Sequence, residues 1–204
     1  MKTLPTRAAV FLVAAAFASV AIARGPRDDE RPKPATAAAP EVKLTPEQTR
    51  TVDERFLKCA ASGNMLTLKM CEYVAEQVQN PEVKAVAEML FKHHVECKMN
   101  IDKTAEQSKV ELPADMSAVD KAKLEAFKEV KGDMVAGPFL FCMASGHVHA
   151  ILEVSCEQKT TQDAAIKGYC EKALPVLKKH FAKVKPMAEA KAGVTSMTDE
   201  RSER

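Results

Sequence analysis

The sequence predicts an all-α protein, and three observations carry that prediction. Only 7 of its 204 residues are Gly and none is Trp, which argues against a turn-rich β sandwich or barrel. Ala, Lys, Glu, Leu, Val and Met dominate, and most of these lose little entropy in a helix. Four long segments repeat small or apolar residues at three- and four-residue steps. Helices with one such stripe bury it only against one another.

The first segment starts at Thr45-Pro46-Glu47-Gln48, with Thr as cap, Pro at the first helical position and an acid next. Its face is Phe56, Ala60, Gly63, Thr67, Met70 and Val74, and it runs to about Gln79. Asn80-Pro81 breaks it. The second face is Val83, Ala87, Leu90, His94, Cys97, Ile101 and Thr104, ending near Ser108. Asp115 to Val130 holds a shorter helix with Val119, Leu124 and Phe127 inward, punctuated by Gly132. The third long face is Leu140, Met143, His147, Ala150 and Val154. After the turn at Thr160–Asp163 the last face is Ile166, Tyr169, Ala173, Val176, His180, Lys183 or Val184, and Met187. Pro175 inside that helix predicts a modest kink.

The segment from about 109 to 132 is much longer than the other two connections. A long second connection distinguishes a ferritin-like four-helix bundle from a simple up-down bundle. The expected fold is therefore a ferritin-like four-helix bundle over residues 44–192, with a long crossover carrying a short helix between the second and third long helices.

The ends read differently. Lys2 and Arg7 precede an uninterrupted small and apolar run, Ala8 to Ala23, which closes on Ala21-Ile22-Ala23. That is the pattern of a secretory signal peptide over residues 1–23, and the run is shorter than the roughly 20 residues of a bilayer span. Cleavage after Ala23 places the protein in the periplasm or outside the cell. The mature chain would have 181 residues and no net formal charge. Residues 24–43 hold Pro26, Pro32, Pro34 and Pro40 around a run of small residues, a Pro/Ala-rich linker. Residues 193–204 form a polar tail.

Charge balance bears on partners. The 30 Lys and Arg against 28 Asp and Glu form no basic cluster, so no nucleic-acid partner is expected. The mature chain is expected to carry no membrane span. Glycine-rich phosphate loops, a nucleophile elbow, His-Glu-x-x-His and Cys-x-x-Cys are all missing.

Three of the five histidines, His94, His147 and His180, fall on core stripes of three different helices. At about 1.5 Å rise per residue they lie within roughly 10 Å of one another along the bundle axis. Three neutral imidazoles converging in a core can bind Zn²⁺ or a copper ion, with water as a fourth ligand. Packed structural histidines are the alternative. Di-iron chemistry would need Glu from two helices and Glu-x-x-His from two more, and no Glu-x-x-His occurs. With neither a carboxylate cluster nor a nucleophile–base pair, nothing favours an enzyme. His93 and His149 fall off the core stripes and read as surface or supporting residues. Glu96 reads as solvated and Cys97 as buried.

Six cysteines in an exported chain permit disulfides. Cys59 and Cys71 are about 18 Å apart along one helix, and Cys142 and Cys156 about 21 Å along another, so neither pair can bridge. Six cysteines allow fifteen pairings and spacing does not choose among them. Level matching favours Cys71 with Cys142 and Cys59 with Cys156, although Cys59 and Cys71 point about 120° apart around their helix. Buried free thiols are the alternative. Cys142, His149 and Cys156 recur every seven residues off the core stripe, a placement that would suit the underside of the crossover helix.

Four blocks, CAASGNMLTLKMCEYVAE, MLFKHHVECKMN, FLFCMASGHVHAILEV and ALPVLKKHFAKV, resemble in order and spacing the exported ferritin-like family catalogued as domain of unknown function 4142. The resemblance covers about Thr51 to Ala190. It implies an all-helical ferritin-like fold outside the cytoplasm, and an inward set of histidines and acids that looks like a metal site. His94, His147 and His180 match the family's histidines. The acids differ: Thr67 stands where the family tends to have Glu, His93 where Asp precedes the second-helix histidine, and Ala136 and Gly146 where Asp is usual.

Overall fold

The computed structural model describes residues 44–193. The expected signal peptide, the linker and all of the tail beyond Gly193 lie outside them. Five α-helices account for the described chain, with no strand among the described residues: α1 Pro46–Gln77, α2 Pro81–Gln107, α3 Ala118–Lys128, α4 Ala136–Thr160 and α5 Ala164–Ala192.

Local chemistry sets the ends. The Thr45 hydroxyl accepts from the Gln48 N–H while the Gln48 side chain accepts from the Thr45 N–H, a reciprocal capping box. Asn80 Oδ1 accepts from the Glu82 and Val83 amides at the start of α2, and Asp163 does the same for Ala165 and Ile166 at α5. α5 ends on Gly193 at φ 68°, a left-handed C-cap that glycine adopts without a Cβ clash. The helix continues through Pro175 and also through Pro186.

Three-residue links join α1 to α2 and α4 to α5, whereas 28 residues lie between α2 and α4. That long connection holds α3 and a 3₁₀ turn at Gly132–Val135, entered through Gly132 at φ 59°. It is tied across α1. Ser62 Oγ donates to Asp120 and accepts from the Ser117 amide. Tyr73 Oη bonds the Lys128 and Val130 carbonyls, both at 2.9 Å. Of the expected inward residues of α3, Leu124 and Phe127 are buried but Val119 is 64% exposed. Five residues before Leu124, at 100° per residue, it falls well off that short helix's inward face.

α1 packs on α2, α4 on α5, α2 on α5, and α1 on α3 and α4. Two apolar clusters result. One gathers Val74, Val86, Leu90, Phe139, Leu140 and Val184 with Leu124 and Phe127 of α3. The other gathers Phe56, Leu57, Ala105, Val154, Ile166 and Cys170. On each long helix a buried polar residue stands between its contributions to the two clusters: Asn64, His94, His147 and His180. On α1 the buried seam is broader than the expected stripe, adding Leu57, Ala61, Ser62, Asn64 and Cys71 while Ala60, Gly63 and Thr67 are half-buried. On α5, Val184 is buried and Lys183 is exposed.

All six cysteines are free thiols, which corrects the Cys71–Cys142 and Cys59–Cys156 pairings. Cys71 is buried in the first apolar cluster while Cys142 only packs on its edge. Cys59 and Cys156 both face solvent. The opposed directions of Cys59 and Cys71 around α1 keep both from one neighbouring helix. The segment Gly132–Thr160 is long and apolar enough by composition to cross a membrane, with 33% of its most apolar window buried.

Candidate metal centre

His94, His147 and His180 meet in the polar layer between the two clusters. One ring nitrogen from each lies within 4.8 Å of the others, and all three residues are buried. Their ring centroids are 5.2 to 5.7 Å apart. Each of the three interrupts an apolar stripe of its own helix, and the packing of α2, α4 and α5 brings them together.

The hydrogen bonds decide which nitrogens are available. Asn64 Nδ2 donates to the His94 backbone carbonyl at 3.0 Å, which orients the amide and turns Oδ1 toward His94 Nδ1, 2.7 Å away. A carbonyl oxygen only accepts, so His94 Nδ1 carries the proton and Nε2 is a bare lone pair. His94 Nε2 is buried and has no hydrogen-bond partner. Likewise His147 Nδ1 donates to the Met143 carbonyl at 2.7 Å, so its Nε2 is also bare. Holding one imidazole nitrogen in a hydrogen bond to an oxygen is how proteins aim the other at a metal.

His180 completes the set through Nδ1, which faces His147 Nε2 at 3.2 Å. Because His147 Nε2 accepts, His180 Nδ1 donates, leaving His180 Nε2 to accept from His93 Nδ1 at 2.8 Å. His93 is therefore no mere surface residue. It is half-buried and its ring stacks on His180, 5.1 Å between centroids and 9° between planes. For His180 to ligate through Nδ1, its proton moves to Nε2, which then donates to His93 Nδ1. His93 can accept in that arrangement as it donates in the present one.

Burial depresses the basicity of these rings. His94 is pushed down to about 3, first by desolvation and then by the three neighbouring imidazoles. His180 is lowered to about 4 by desolvation and then by the imidazoles of His147 and His93, and desolvation lowers His147 as well. The rings are neutral at neutral pH, the form that coordinates metals.

Access comes from two sides. His94 and His147 line a cleft of about 1260 Å³ between α1, the crossover and α4, together with Thr67, Met70, Cys142 and Met143. His93 and His180 line a smaller one of about 440 Å³ between α2 and α5, with Met89, Glu96 and Cys97. Cys142 and His149 do sit beside the crossover, but Cys156 does not line that cleft. His149 is exposed, pairing with Glu153 at 3.2 Å. Thr67 lines the same cleft and donates to the Gly63 carbonyl at 3.0 Å.

Asn64 went unnoticed in the sequence, although its polar side chain on the core seam of α1 was the available signal. A second omission lies in the other half of the core. Asp53 and Glu157 are both buried, each with one carboxyl oxygen unpartnered. Burial, and then the Asp53 carboxyl beside it, push Glu157 up to about 8, so it holds a proton at neutral pH.

A family profile described as domain of unknown function, DUF4142, matches residues 33–187. The chain belongs to that family. The match to DUF4142 begins ahead of α1, inside the Pro/Ala-rich stretch, and ends within α5. No curated protein matches the chain. Among solved structures it is similar to the crystal structure of a DUF305 fragment from Deinococcus radiodurans, at 10% identity and a TM-score of 0.60. The alignment covers 73% of this chain and 99% of that one, which bears on the fold alone.

Proposed function

We propose that this DUF4142 protein is an exported ferritin-like four-helix bundle that holds one transition-metal ion at His94, His147 and His180, for storage, buffering or sensing. The observation that carries the reading is the pair of bare Nε2 atoms. His94 and His147 each spend Nδ1 on an oxygen acceptor and present Nε2 inward, and that of His94 is buried without a partner. A buried acceptor without a hydrogen bond costs about 1–3 kcal/mol. A metal bond recovers that cost, whereas packing alone leaves it standing.

Titration of the purified chain with Zn²⁺ and Cu²⁺ by calorimetry, beside His147→Ala and His180→Ala, tests the site. One saturable equivalent near neutral pH, lost in both variants, is the expected result. Absence of saturable binding, or binding unchanged in the variants, leaves a metal-free structural protein of the envelope as the better account.

Export is part of the proposal. It rests on Lys2, Arg7, the apolar run to Ala23 and Ala21-Ile22-Ala23. N-terminal sequencing of secreted protein should begin at Arg24, and full-length chain confined to membranes would refute it. The apolar α4 is read as a packed interior helix, because it carries buried His147 and Glu157 and packs on both α5 and α1.

A further inference from the structure

We infer that the ion this site is built for is cuprous, a soft monocation. The inference rests on the reading that the three imidazoles hold a metal, and it names the class of that metal. Charge is the first argument. The converging donors are three neutral imidazoles, and the groups that orient two of them, the Asn64 amide and the Met143 carbonyl, are neutral as well. Among the described residues no carboxylate or thiol joins the cluster. The cost of moving an ion from water into a low-dielectric interior grows with the square of its charge. A divalent ion therefore meets four times the penalty of a monovalent one here, with no anionic side chain among the converging donors to offset it; Glu96, which lines the smaller cleft, is exposed.

Donor softness is the second argument. Sulfur flanks the imidazoles on both approaches. Met70, Met143 and Cys142 line the cleft that reaches His94 and His147, and Met89 and Cys97 line the one that reaches His93 and His180. Thioethers and thiols favour Cu(I), and imidazole accepts it, while hard divalent ions prefer oxygen.

Geometry is the third. His147 Nε2 and His180 Nδ1 are 3.2 Å apart, and the ring nitrogens span no more than 4.8 Å. Two ligands about 2 Å from one ion lie at most about 4 Å apart, so the His147–His180 pair already has a ligand spacing and the widest pair must close by somewhat under 1 Å. This geometry admits a three-coordinate ion, and charge and softness choose which.

The test is competition binding on the full-length mature chain. Under anaerobic, reducing conditions, Cu(I) buffered by a chromophoric cuprous chelator is titrated with wild type, His147→Ala and His180→Asn. Zn²⁺ is titrated in parallel against a chromophoric zinc chelator. Circular dichroism verifies that each variant folds, and two separate variants leave the test open should one fail. The expected result is one Cu(I) per chain, held at least about 1000-fold more tightly than Zn²⁺ and weakened at least about 100-fold in each variant. X-ray absorption of the loaded protein should show nitrogen neighbours without sulfur. Histidine-dependent Zn²⁺ binding as tight as that of Cu(I) overturns this inference and leaves the metal-site reading standing. Cu(I) held by sulfur, indifferent to both variants, overturns it as well. Failure of both ions to bind in a histidine-dependent way removes the inference and the site together.

Discussion

Lowering the pH from 7 to 5 in a chelating buffer should destabilise the metal-free protein, and the structure sets the size of the effect. In an unfolded chain each histidine titrates near 6.5 and is largely charged at pH 5. In the fold His94 is held to about 3 and His180 to about 4, so both stay neutral. Their folded values lie below the unfolded one, so protons bind preferentially to the unfolded chain. The stability they contribute is full above about 6.5 and drains as pH falls toward their folded values. At about 1.4 kcal/mol per pKa unit, each ring accounts for a loss of about 2 kcal/mol between pH 7 and 5. His147, also lowered, adds to the same side. Glu157 opposes them. Its folded value of about 8 lies above its ordinary 4.5, so its contribution is full below 4.5 and is lost as pH rises through 8. Over the same interval it returns about 2.5 kcal/mol. The two imidazoles outweigh it, leaving a net loss of about 1 kcal/mol before the contribution of His147 is added. Urea unfolding followed by far-UV circular dichroism at stepped pH measures this, and His180→Gln should show a distinctly shallower acid limb. Equal or greater stability at pH 5, or an unchanged limb in His180→Gln, would refute the assignment of buried neutral imidazoles.

Other expectations follow from the same residues. Because the free imidazoles stay neutral well below their ordinary value, metal affinity should persist below pH 6.5 and fail only near pH 4 to 5, as a calorimetric pH series would show. Asn64→Leu frees His94 Nδ1 from its acceptor and should weaken metal binding about 10- to 100-fold, with the fold retained by circular dichroism. Native thiol labelling should modify Cys59 and Cys156 quickly and Cys71 and Cys170 slowly, with all six reactive after denaturation without reductant. Thr45→Ala removes the capping box of α1 and should cost about 1 kcal/mol in urea unfolding.

Much of the fold was legible because the four long helices are amphipathic and their ends carry strong signals. Thr45-Pro46, Asn80-Pro81 and Asp163 cap where they were expected to. What misled was direction around the helix axis. Val119 is about 140° around α3 from Leu124 and points to solvent, so the expected inward set of that short helix was wrong by its own period. The cysteine pairings failed because matching heights along helices says nothing of which way a side chain points around them. At the candidate centre, stripe position picked out His94, His147 and His180, while His93 could be read only as a surface or supporting residue. It is one residue off the stripe of α2, and only the approach of α5 brings His180 against it. Asn64 was legible only as a polar residue on the core seam of α1. Its role depends on the backbone carbonyl of His94, a partner on another helix that no spacing rule marks.

The polar layer makes the strongest case that this core serves something besides stability. Both clusters around it are closed by fully buried side chains such as Leu57, Leu90, Phe139 and Ile166. Leu at the three histidine positions would continue them, and replacing buried polar groups by well-packed apolar ones is often neutral or stabilising. Instead the chain gathers four imidazoles, three of them buried, orders their protons by Asn64 and the Met143 carbonyl, and leaves one nitrogen of His94 without a partner. Structural histidines in a packed core would be expected to satisfy both nitrogens with each other or with the backbone, as His147 and His180 do. The unsatisfied position falls on the ring that also lines the larger cleft. Packing therefore explains the tautomers of His147 and His180, whereas the missing partner of His94 beside an open approach is the feature that the proposed ion site explains and packing does not.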